Sequence, residues 1–144
     1  MPRSKIFLPD VNVWLALASR RHVHASTCGI WLNGLQQAEV VFCRVTQMGL
    51  LRLLTNETVM GRDVLSSRDA WRAYIRILAD DRIGFAPEPL TMEGEWRKLT
   101  TSDRPTPKIW TDAYLAAFAR SAEMHFVTLN RAIAALDPNV LLLT

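Results

Sequence analysis

Five consecutive residues, Ile6-Phe7-Leu8-Pro9-Asp10, decide the predicted fold of this 144-residue chain. Three apolar residues stopped by a proline and an aspartate are typical of a short strand buried in a sheet. Four more short apolar runs predict strands along the chain, at residues 40–42, 83–85, 125–127 and 140–143. Strands of this length, separated by helices, indicate a mostly parallel sheet with helices on both faces.

The segments between these runs carry apolar residues at helical spacing. They predict helices at residues 13–17, 25–37, 46–54, 69–78, 92–99 and 110–122, with a proline-containing loop at 100–108. No linker, low-complexity segment or internal repeat divides the sequence. We therefore expect one α/β domain spanning residues 1–144, with a central sheet of about five short strands.

The composition excludes several other classes of protein. Hydrophobic residues make up 49% of the chain and charged residues 22%, which excludes a disordered or fibrous protein. The apolar runs are too short for a membrane helix, and no signal-peptide cleavage site follows the basic start. We expect a cytoplasmic protein in which Cys28 and Cys43 are buried thiols. The net charge of +3 favours a polyanionic partner without identifying one.

Polar residues follow the predicted strands at their carboxyl ends, which is the edge where parallel sheets bind ligands. Asp10 follows the first strand and Gln47 the second, Thr128 and Asn130 follow the fourth, and Asp112 stands in the first turn of an alanine-rich helix. Taken singly, Asp10 is also typical of a turn or helix cap, and Asp112 of a side chain that complements a helix N-terminus. Their joint order along the chain is more specific than any one of them.

Four sequence motifs resemble those of PIN domains, and of VapC-type toxins in particular. The first is Leu8-Pro9-Asp10-Val11-Asn12-Val13-Trp14, whose aspartate stands where PIN domains hold a metal ion. The others run from Phe42 to Asn56 around Gln47, from Thr111 to Ala119 around Asp112, and from Phe126 to Arg131 around Asn130. The resemblance covers nearly the whole chain and is most distinctive at the first and third motifs.

This resemblance implies a three-layer α/β/α fold and an endoribonuclease that depends on Mg²⁺ or Mn²⁺. It also implies a homodimer, and a cognate antitoxin protein that silences the enzyme. Asp10 and Asp112 would hold the ion, while Asn12 and Thr128 would orient the carboxylates or water through hydrogen bonds. Water activated by the ion would hydrolyse a phosphodiester bond of an RNA substrate.

Two positions depart from the family's pattern. Gln47 and Asn130 stand where glutamate and aspartate are common, so the two aspartates that remain give the site a formal charge of about −2. We therefore expect one weakly bound ion, slower cleavage, and reduced roles for Gln47 and Asn130 at the edge of the site. The missing charge could come from the acidic residues that precede Asp112, which are Glu88, Glu93, Glu95 and Asp103.

Other side chains have both a functional and a structural interpretation. Four basic residues are candidate phosphate contacts, although a solvated or salt-bridged surface position is the commoner role for such residues: Arg44, Arg52, Lys108 and Arg131. Trp110 could stack on a base, although packing in the core is more common. The histidines lack a metal-ligand spacing and are interpreted as structural or surface residues: His22, His24 and His125.

Two functions remain open from the sequence alone. The first is an active endoribonuclease toxin, which we favour because Asp10 and Asp112 are both present. The second is a PIN-fold module that has lost efficient cleavage and binds RNA or protein. Two helical segments, at residues 13–17 and 48–54, are nearly all apolar. We expect at least half of their side chains to lie in the core and the others to form a dimer or antitoxin interface. A haloacid-type phosphatase is disfavoured because Asp10-Val11-Asn12 lacks the DxD nucleophile pattern, and a receiver domain because its phosphoacceptor should follow a later strand.

Overall fold

Five parallel strands form the central sheet of the computed structural model, which describes residues 5–144. In chain order they are β1 (Lys5–Pro9), β2 (Ala38–Phe42), β3 (Ile83–Phe85), β4 (His125–Thr128) and β5 (Leu141–Leu142). Their order across the sheet is β3-β2-β1-β4-β5, and each neighbouring pair is parallel. The predicted α/β class and parallel sheet are confirmed, although β5 is shorter than the predicted run 140–143. Residues 1–4 of the predicted domain lie outside the described residues.

Helices connect these strands, as crossovers between parallel neighbours require. They are α1 (Val11–Ala18), α2 (Ala25–Asn33), α3 (Arg44–Leu54), α4 (Glu57–Met60), α5 (Ser67–Leu78), α6 (Met92–Leu99), α7 (Trp110–Ser121) and α8 (Arg131–Ala134). A 3₁₀ turn, Gly61–Asp63, follows α4. Within residues 5–144, no helix combines the length and apolar character that a bilayer span requires.

The structure corrects several predicted helix boundaries. The predicted helix 25–37 ends at Asn33, because Gly34 caps it and Gln37 takes a positive φ of 49° before β2. The predicted helix 46–54 begins earlier, because the hydroxyl of Thr46 accepts a hydrogen bond from the backbone N–H of Cys43 at 3.0 Å and caps the first turn. The four-residue helices α4 and α8 are missing from the sequence prediction, because one turn is too short to show a helical period.

Successive side chains of the strands point into two separate cores, one on each face of the sheet. On one face, Leu8, Val41 and Phe126 pack in a cluster with α6 and α7. On the other, Phe42 packs against α1, α3 and α5, while Val127 packs against α1 and α2. The sheet therefore lies between two helical layers, which is the predicted α/β/α arrangement.

The two nearly all-apolar helices are core elements for most of their length. In α1 the side chains of residues 13–16 are buried, and in α3 Leu50 and Leu54 are buried. Met48 differs, because it is 49% exposed. The core interpretation is therefore confirmed for most of these side chains, and Met48 belongs to the surface.

A close contact between α1 and α3 depends on Gly49. A Cβ atom at this position would lie 2.7 Å from Cγ2 of Val11, well inside van der Waals contact. Next to this contact, the ring of Trp14 stacks on that of Phe42 with 3.7 Å between the ring centroids. These contacts fix the start of α1, and with it Asp10, against α3 and the end of β2.

One arginine ties the amino end of β3 to α2. The Arg82 guanidinium donates to both carboxylate oxygens of Asp80, at 3.0 and 2.7 Å, and to the backbone carbonyl of Leu32 at 2.7 Å. The hydrogen bonds that the Arg82 side chain and backbone N–H donate to Asp80 lower the pKa of this carboxyl group to about 2. The pair lies at the edge of the sheet opposite the carboxyl ends of the strands.

Candidate active site

The strand order changes direction at β1. From β1 the chain moves to β2 and β3 on one side, and then crosses to β4 and β5 on the other. In open parallel sheets such a switch point opens a crevice at the carboxyl ends of the two central strands, where ligands bind. Asp10 directly follows β1 and Thr128 ends β4, so both residues border this crevice.

Asp10 is buried and held by three hydrogen bonds. Its Oδ1 accepts from the backbone N–H of Val11 at 2.7 Å, and its Oδ2 accepts from the hydroxyl of Thr128 at 3.2 Å. Its own backbone N–H donates to the carbonyl of Val127 at 2.8 Å. The carboxylate thus caps α1, as the structural interpretation expects, and also joins the two central strands at the crevice.

Asp112 lies in the first turn of α7, close enough to Asp10 for the two charges to interact. The pKa of the Asp10 carboxyl is raised, mainly by burial and further by the charge of Asp112. The hydrogen bonds from the Val11 N–H and the Thr128 hydroxyl oppose this rise. Burial also raises the pKa of Asp112. Two partly buried carboxyl groups with raised pKa values are typical of functional sites, where a cation or a proton stabilises them.

Asn130 borders the same cavity as Asp112, with a volume of about 470 Å³. The backbone N–H of Asn130 donates to the Thr128 hydroxyl oxygen at 3.1 Å, and that hydroxyl donates to Asp10. The side-chain oxygen of Asn130 accepts from the backbone N–H of Ala132 at 2.9 Å and caps α8. The structure therefore brings together four of the predicted site residues, which are Asp10, Asp112, Thr128 and Asn130.

Apolar side chains form part of the wall of this cavity, and the sequence interpretation missed them. Ile109 and Ile133 line it beside Asp112 and Asn130. The available signal was their position, because one precedes the third motif and the other follows the fourth.

Gln47 has a partner of its own on α3. Its side-chain oxygen accepts a hydrogen bond from Nη1 of Arg44, and the residue is only 7% exposed. Burial raises the pKa of Tyr74, whereas Gln47 and the charge of Arg44 lower it, so these three side chains are neighbours. The amide oxygen of Gln47, which we expected at the edge of the site, thus already accepts a hydrogen bond from Arg44.

The candidate phosphate contacts lie around the crevice. Lys108 lines the cavity beside Asp112, and Arg131 is exposed at the start of α8. Arg52 lines a second groove together with Thr111, the residue that precedes Asp112. These positions suit contact with an anionic strand at the carboxyl edge of the sheet.

Asn12 is placed differently from the other predicted site residues. Its side chain is exposed and borders a groove with Arg21 and Asp63. Within the described chain it makes no side-chain hydrogen bond to Asp10. Its orienting role stays a prediction that no contact supports.

The aromatic and histidine candidates lie outside the crevice contacts described above. Trp110 is 51% exposed and meets Trp96 edge-on, with 6.2 Å between the ring centroids. Its backbone carbonyl accepts from the indole N–H of Trp96 at 3.0 Å, so it belongs to the surface of the α6–α7 pair rather than to the core. His22 accepts a hydrogen bond from the backbone N–H of His24, and His125 packs against Phe7.

The acidic residues that precede Asp112 have other partners or are exposed. Glu88 accepts from the hydroxyl of Tyr114 at 2.7 Å, and Glu95 pairs with Lys98 and Arg120. Glu93 and Asp103 are exposed. In the part of the chain that the structure describes, no three His, Cys, Asp or Glu side chains group as a metal centre would require. Asp10 and Asp112 therefore stand as a pair.

The donor atoms of this pair fit a hard divalent cation. Mg²⁺ and Mn²⁺ prefer oxygen ligands, and Mg²⁺ commonly takes only one or two carboxylates from a protein. Burial of Asp10 and its repulsion by Asp112 disfavour the charged forms in the absence of a cation, which a bound cation would reverse. The site thus has the chemistry of a single weak cation site.

In the metal-free protein, we expect Asp10→Asn to raise the free energy of unfolding at pH 7. The pKa of Asp10 is higher in the folded protein than its ordinary value of 3.8, so stability falls as the pH rises from 3.8 through the folded pKa. Asparagine removes that loss while its amide oxygen can still accept from Val11. Urea unfolding at pH 7 should show the gain, and unfolding well below pH 3.8 should not.

Asp80→Asn is a matched control of opposite sign. Because Arg82 lowers the folded pKa of Asp80 to about 2, the ionised carboxylate stabilises the fold above pH 3.8 and loses this effect as the pH falls from 3.8 toward 2. This variant should therefore lower the free energy of unfolding at pH 7. A loss of stability at pH 7 in metal-free Asp10→Asn would contradict the raised pKa of Asp10.

The fold and the site define a class of protein: a parallel three-layer α/β domain with a carboxylate pair at the switch point of its sheet. The family model of the PIN domain matches residues 7–138. The chain is also 46% identical over 132 residues to Ribonuclease VapC41 of Mycobacterium tuberculosis, covering 88% of this chain and 90% of that protein. The chain therefore belongs to the PIN domain family.

Solved structures of lower identity share the fold. The sarcin-ricin loop cleaving toxin VapC20 of Mycobacterium tuberculosis aligns with a TM-score of 0.64 at 18% identity, covering 91% of this chain and 94% of that one. VapBC-1 of nontypeable Haemophilus influenzae aligns with a TM-score of 0.66 at 16% identity, covering 95% and 96%. At these identities the likeness concerns the fold alone.

Proposed function

We propose that this protein is a VapC-type toxin, a metal-dependent endoribonuclease that hydrolyses RNA phosphodiester bonds. The observation that carries the proposal is the pair of buried Asp10 and half-buried Asp112 at the switch point of the sheet, both with raised pKa values. The 46% identity to a protein named a ribonuclease supports the same activity. Mg²⁺ or Mn²⁺ is the proposed cofactor, because both donors are carboxylate oxygens.

Each residue of the crevice has a distinct role in this proposal. Asp10 and Asp112 hold the ion, and Thr128 fixes the orientation of the Asp10 carboxylate through its hydroxyl. A bound divalent ion lowers the pKa of a water molecule and stabilises the negative charge that develops on the phosphate. Lys108 at the cavity and Arg131 at its rim contact the phosphates of the RNA.

The neutral residue Asn130 limits the charge of the site. Its side-chain oxygen caps α8, so it contributes a polar edge to the cavity rather than a second carboxylate. With two aspartates the site holds one ion weakly, because a pair of ions would need more negative charge. We therefore propose slower cleavage than a site with the full set of acidic residues would give.

We further propose that a cognate antitoxin binds this protein, that the protein forms a homodimer, and that both act in the cytoplasm. Large apolar side chains are exposed on several helices, including Ile30, Trp71 and Ile75. Exposed apolar groups of this kind are suited to protein interfaces. A small open reading frame immediately upstream, encoding a protein that co-purifies with this chain, would support the antitoxin.

Metal dependence is the direct test of the enzyme. The purified protein should cleave single-stranded RNA with Mn²⁺ or Mg²⁺, lose activity with EDTA, and regain it when the ion is added in excess. With a subsaturating concentration of Mn²⁺, activity should fall as the pH is lowered, because Asp10 must lose its proton to bind the cation, and its raised pKa moves this loss to a higher pH than for an ordinary carboxyl group. Cleavage that persists in EDTA would contradict the proposal.

The second candidate is a PIN-fold module that binds RNA or protein without efficient cleavage. It is favoured by one observation, the hydrogen bond that the Gln47 amide oxygen accepts from Arg44. Because this oxygen is occupied, a metal ion at the crevice would depend on the two carboxylates of Asp10 and Asp112. RNA binding without cleavage at any concentration of Mn²⁺ would favour this candidate over the enzyme.

A further inference from the structure

We propose that Gln47 is a positioning residue that holds Arg44 as an uncompensated cation for a backbone phosphate of the RNA, one that flanks the bond to be cut. The inference rests on the proposed function and deepens it. It assigns Gln47 to the substrate side of the site instead of to the metal.

Two contacts fix the guanidinium of Arg44 at the carboxyl edge of the sheet. One nitrogen donates to the side-chain oxygen of Gln47, and Cζ lies 4.7 Å from the centroid of the Phe85 ring. Gln47 is itself buried, so its amide is a fixed point rather than a mobile surface group. A guanidinium held in this way loses little further freedom when an anion binds, which favours affinity.

The charge of Arg44 is free to act on a ligand. Arg44 is exposed and takes part in none of the ion pairs formed by the described residues. The neutral amide of Gln47 accepts a hydrogen bond from Arg44 without cancelling its charge. A glutamate at this position would have nearly the same shape but would form an ion pair with the guanidinium. Glutamine is therefore suited to holding the arginine while keeping it positive.

The position of Arg44 also suits a phosphate next to the reacting one. The register of β1 on β2 places Phe7 opposite Val40, so three residues further on Asp10 is opposite Cys43, the neighbour of Arg44. Phe85 ends β3, one strand beyond β2. Because adjacent strands are about 4.8 Å apart, Phe85, whose ring contacts the Arg44 guanidinium, is on the order of 10 Å from β1 along the carboxyl edge of the sheet. A strand of RNA with one phosphate at Asp10 can thus present another to Arg44.

The test compares Gln47→Glu and Arg44→Gln with the native protein. A fluorescein-labelled single-stranded RNA of mixed sequence is titrated in EDTA, so that binding is measured without cleavage. We expect the Kd to rise about ten-fold in each variant, as for loss of one hydrogen bond to a charged group. The slope of log Kd against log salt should fall by about 0.7, the value for one phosphate contact on a single strand. Arg76→Gln is the control, because Arg76 is exposed in the last turn of α5, and it should leave the slope unchanged.

A double variant separates positioning from a general effect on the fold. If Gln47 acts through Arg44, the neutral change Gln47→Met should raise the Kd in the native background and have no further effect in the Arg44→Gln background. Cleavage kinetics with Mn²⁺ should show a higher KM and a nearly unchanged kcat, because a contact to a neighbouring phosphate, and not to the reacting one, contributes uniform binding. Thermal unfolding checks that both variants fold. If Gln47→Glu does not fold, the test rests on Arg44→Gln, because Arg44 is exposed.

The other possible results separate the role of Gln47 from the proposed enzyme activity. If Gln47→Glu binds Mn²⁺ more tightly and keeps the native salt slope, Gln47 lies beside the ion and the proposal is overturned. If the native protein cleaves RNA while both variants keep its slope, this proposal fails alone. If the native protein binds the labelled RNA through Arg44 but cleaves no RNA with Mn²⁺, the proposed enzyme fails and the phosphate subsite stands. A native protein that binds no RNA overturns both.

Discussion

Asp112→Asn is expected to reduce RNA cleavage by about 100-fold or more, which is the upper end of the losses seen when even an indirect partner of a metal is removed. The expectation follows from the small number of donors, because Asp10 and Asp112 are the carboxylates that the described structure brings together at the crevice. Asparagine keeps the size of the side chain and its place in α7 but removes half of the negative charge. Single-turnover cleavage with excess Mn²⁺ measures the effect on the chemical step.

Two further variants make this result interpretable. Asp103 lies in the exposed loop before α7, so the Asp103→Asn variant should cleave RNA at the native rate. Asp10→Asn should lose as much activity as Asp112→Asn while the metal-free protein gains stability at pH 7, so unfolding cannot explain the loss. Equal cleavage by the native protein and Asp112→Asn would show that Asp112 does not hold the metal ion.

The largest expected effect on stability is that of Trp14→Ala. Trp14 is fully buried and stacks on Phe42 between α1 and the sheet, so truncation leaves a large cavity. Loss of a buried tryptophan side chain costs about 3–5 kcal/mol of unfolding free energy, a large part of the stability of a small domain. Urea unfolding should show a lower midpoint with an unchanged slope.

Trp71→Ala is the matched control, because Trp71 is 49% exposed and should cost far less. Trp14→Phe should cost less than the alanine variant for a further reason. The indole nitrogen of Trp14 has no hydrogen-bond partner within residues 5–144, so phenylalanine removes an unsatisfied buried donor. Similar losses for Trp14→Ala and Trp71→Ala would contradict the central role of the Trp14–Phe42 stack.

The parts of the fold that could be predicted from the sequence are those governed by local periodicity. The run Ile6-Phe7-Leu8, stopped by Pro9 and Asp10, marks a buried strand because each face of a parallel sheet is covered. The end of α2 at Asn33 had one sequence signal, Gly34, but helical spacing continues past it and favoured a longer helix. The left-handed conformation of Gln37 has no sequence signature here.

The site was predictable to the extent that it depends on strand ends. Asp10 and Thr128 meet because each lies at the carboxyl end of a central strand, which topology requires. Asn12 does not join them, because residues two apart on a helix point to different sides. The association of Arg44 with Phe85 could not be predicted, because it depends on the pairing of β2 with β3 across some forty intervening residues.

The hydrogen bond from Thr128 to Asp10 joins residues 118 positions apart in the sequence. It follows that the order of synthesis delays assembly of the crevice. β1 emerges from the ribosome before β4, so β1 gains this neighbour only after the residues up to Thr128 have been translated. A growing chain that has not yet reached β4 therefore lacks the completed carboxylate site, and a premature stop before β4 yields a fragment without it.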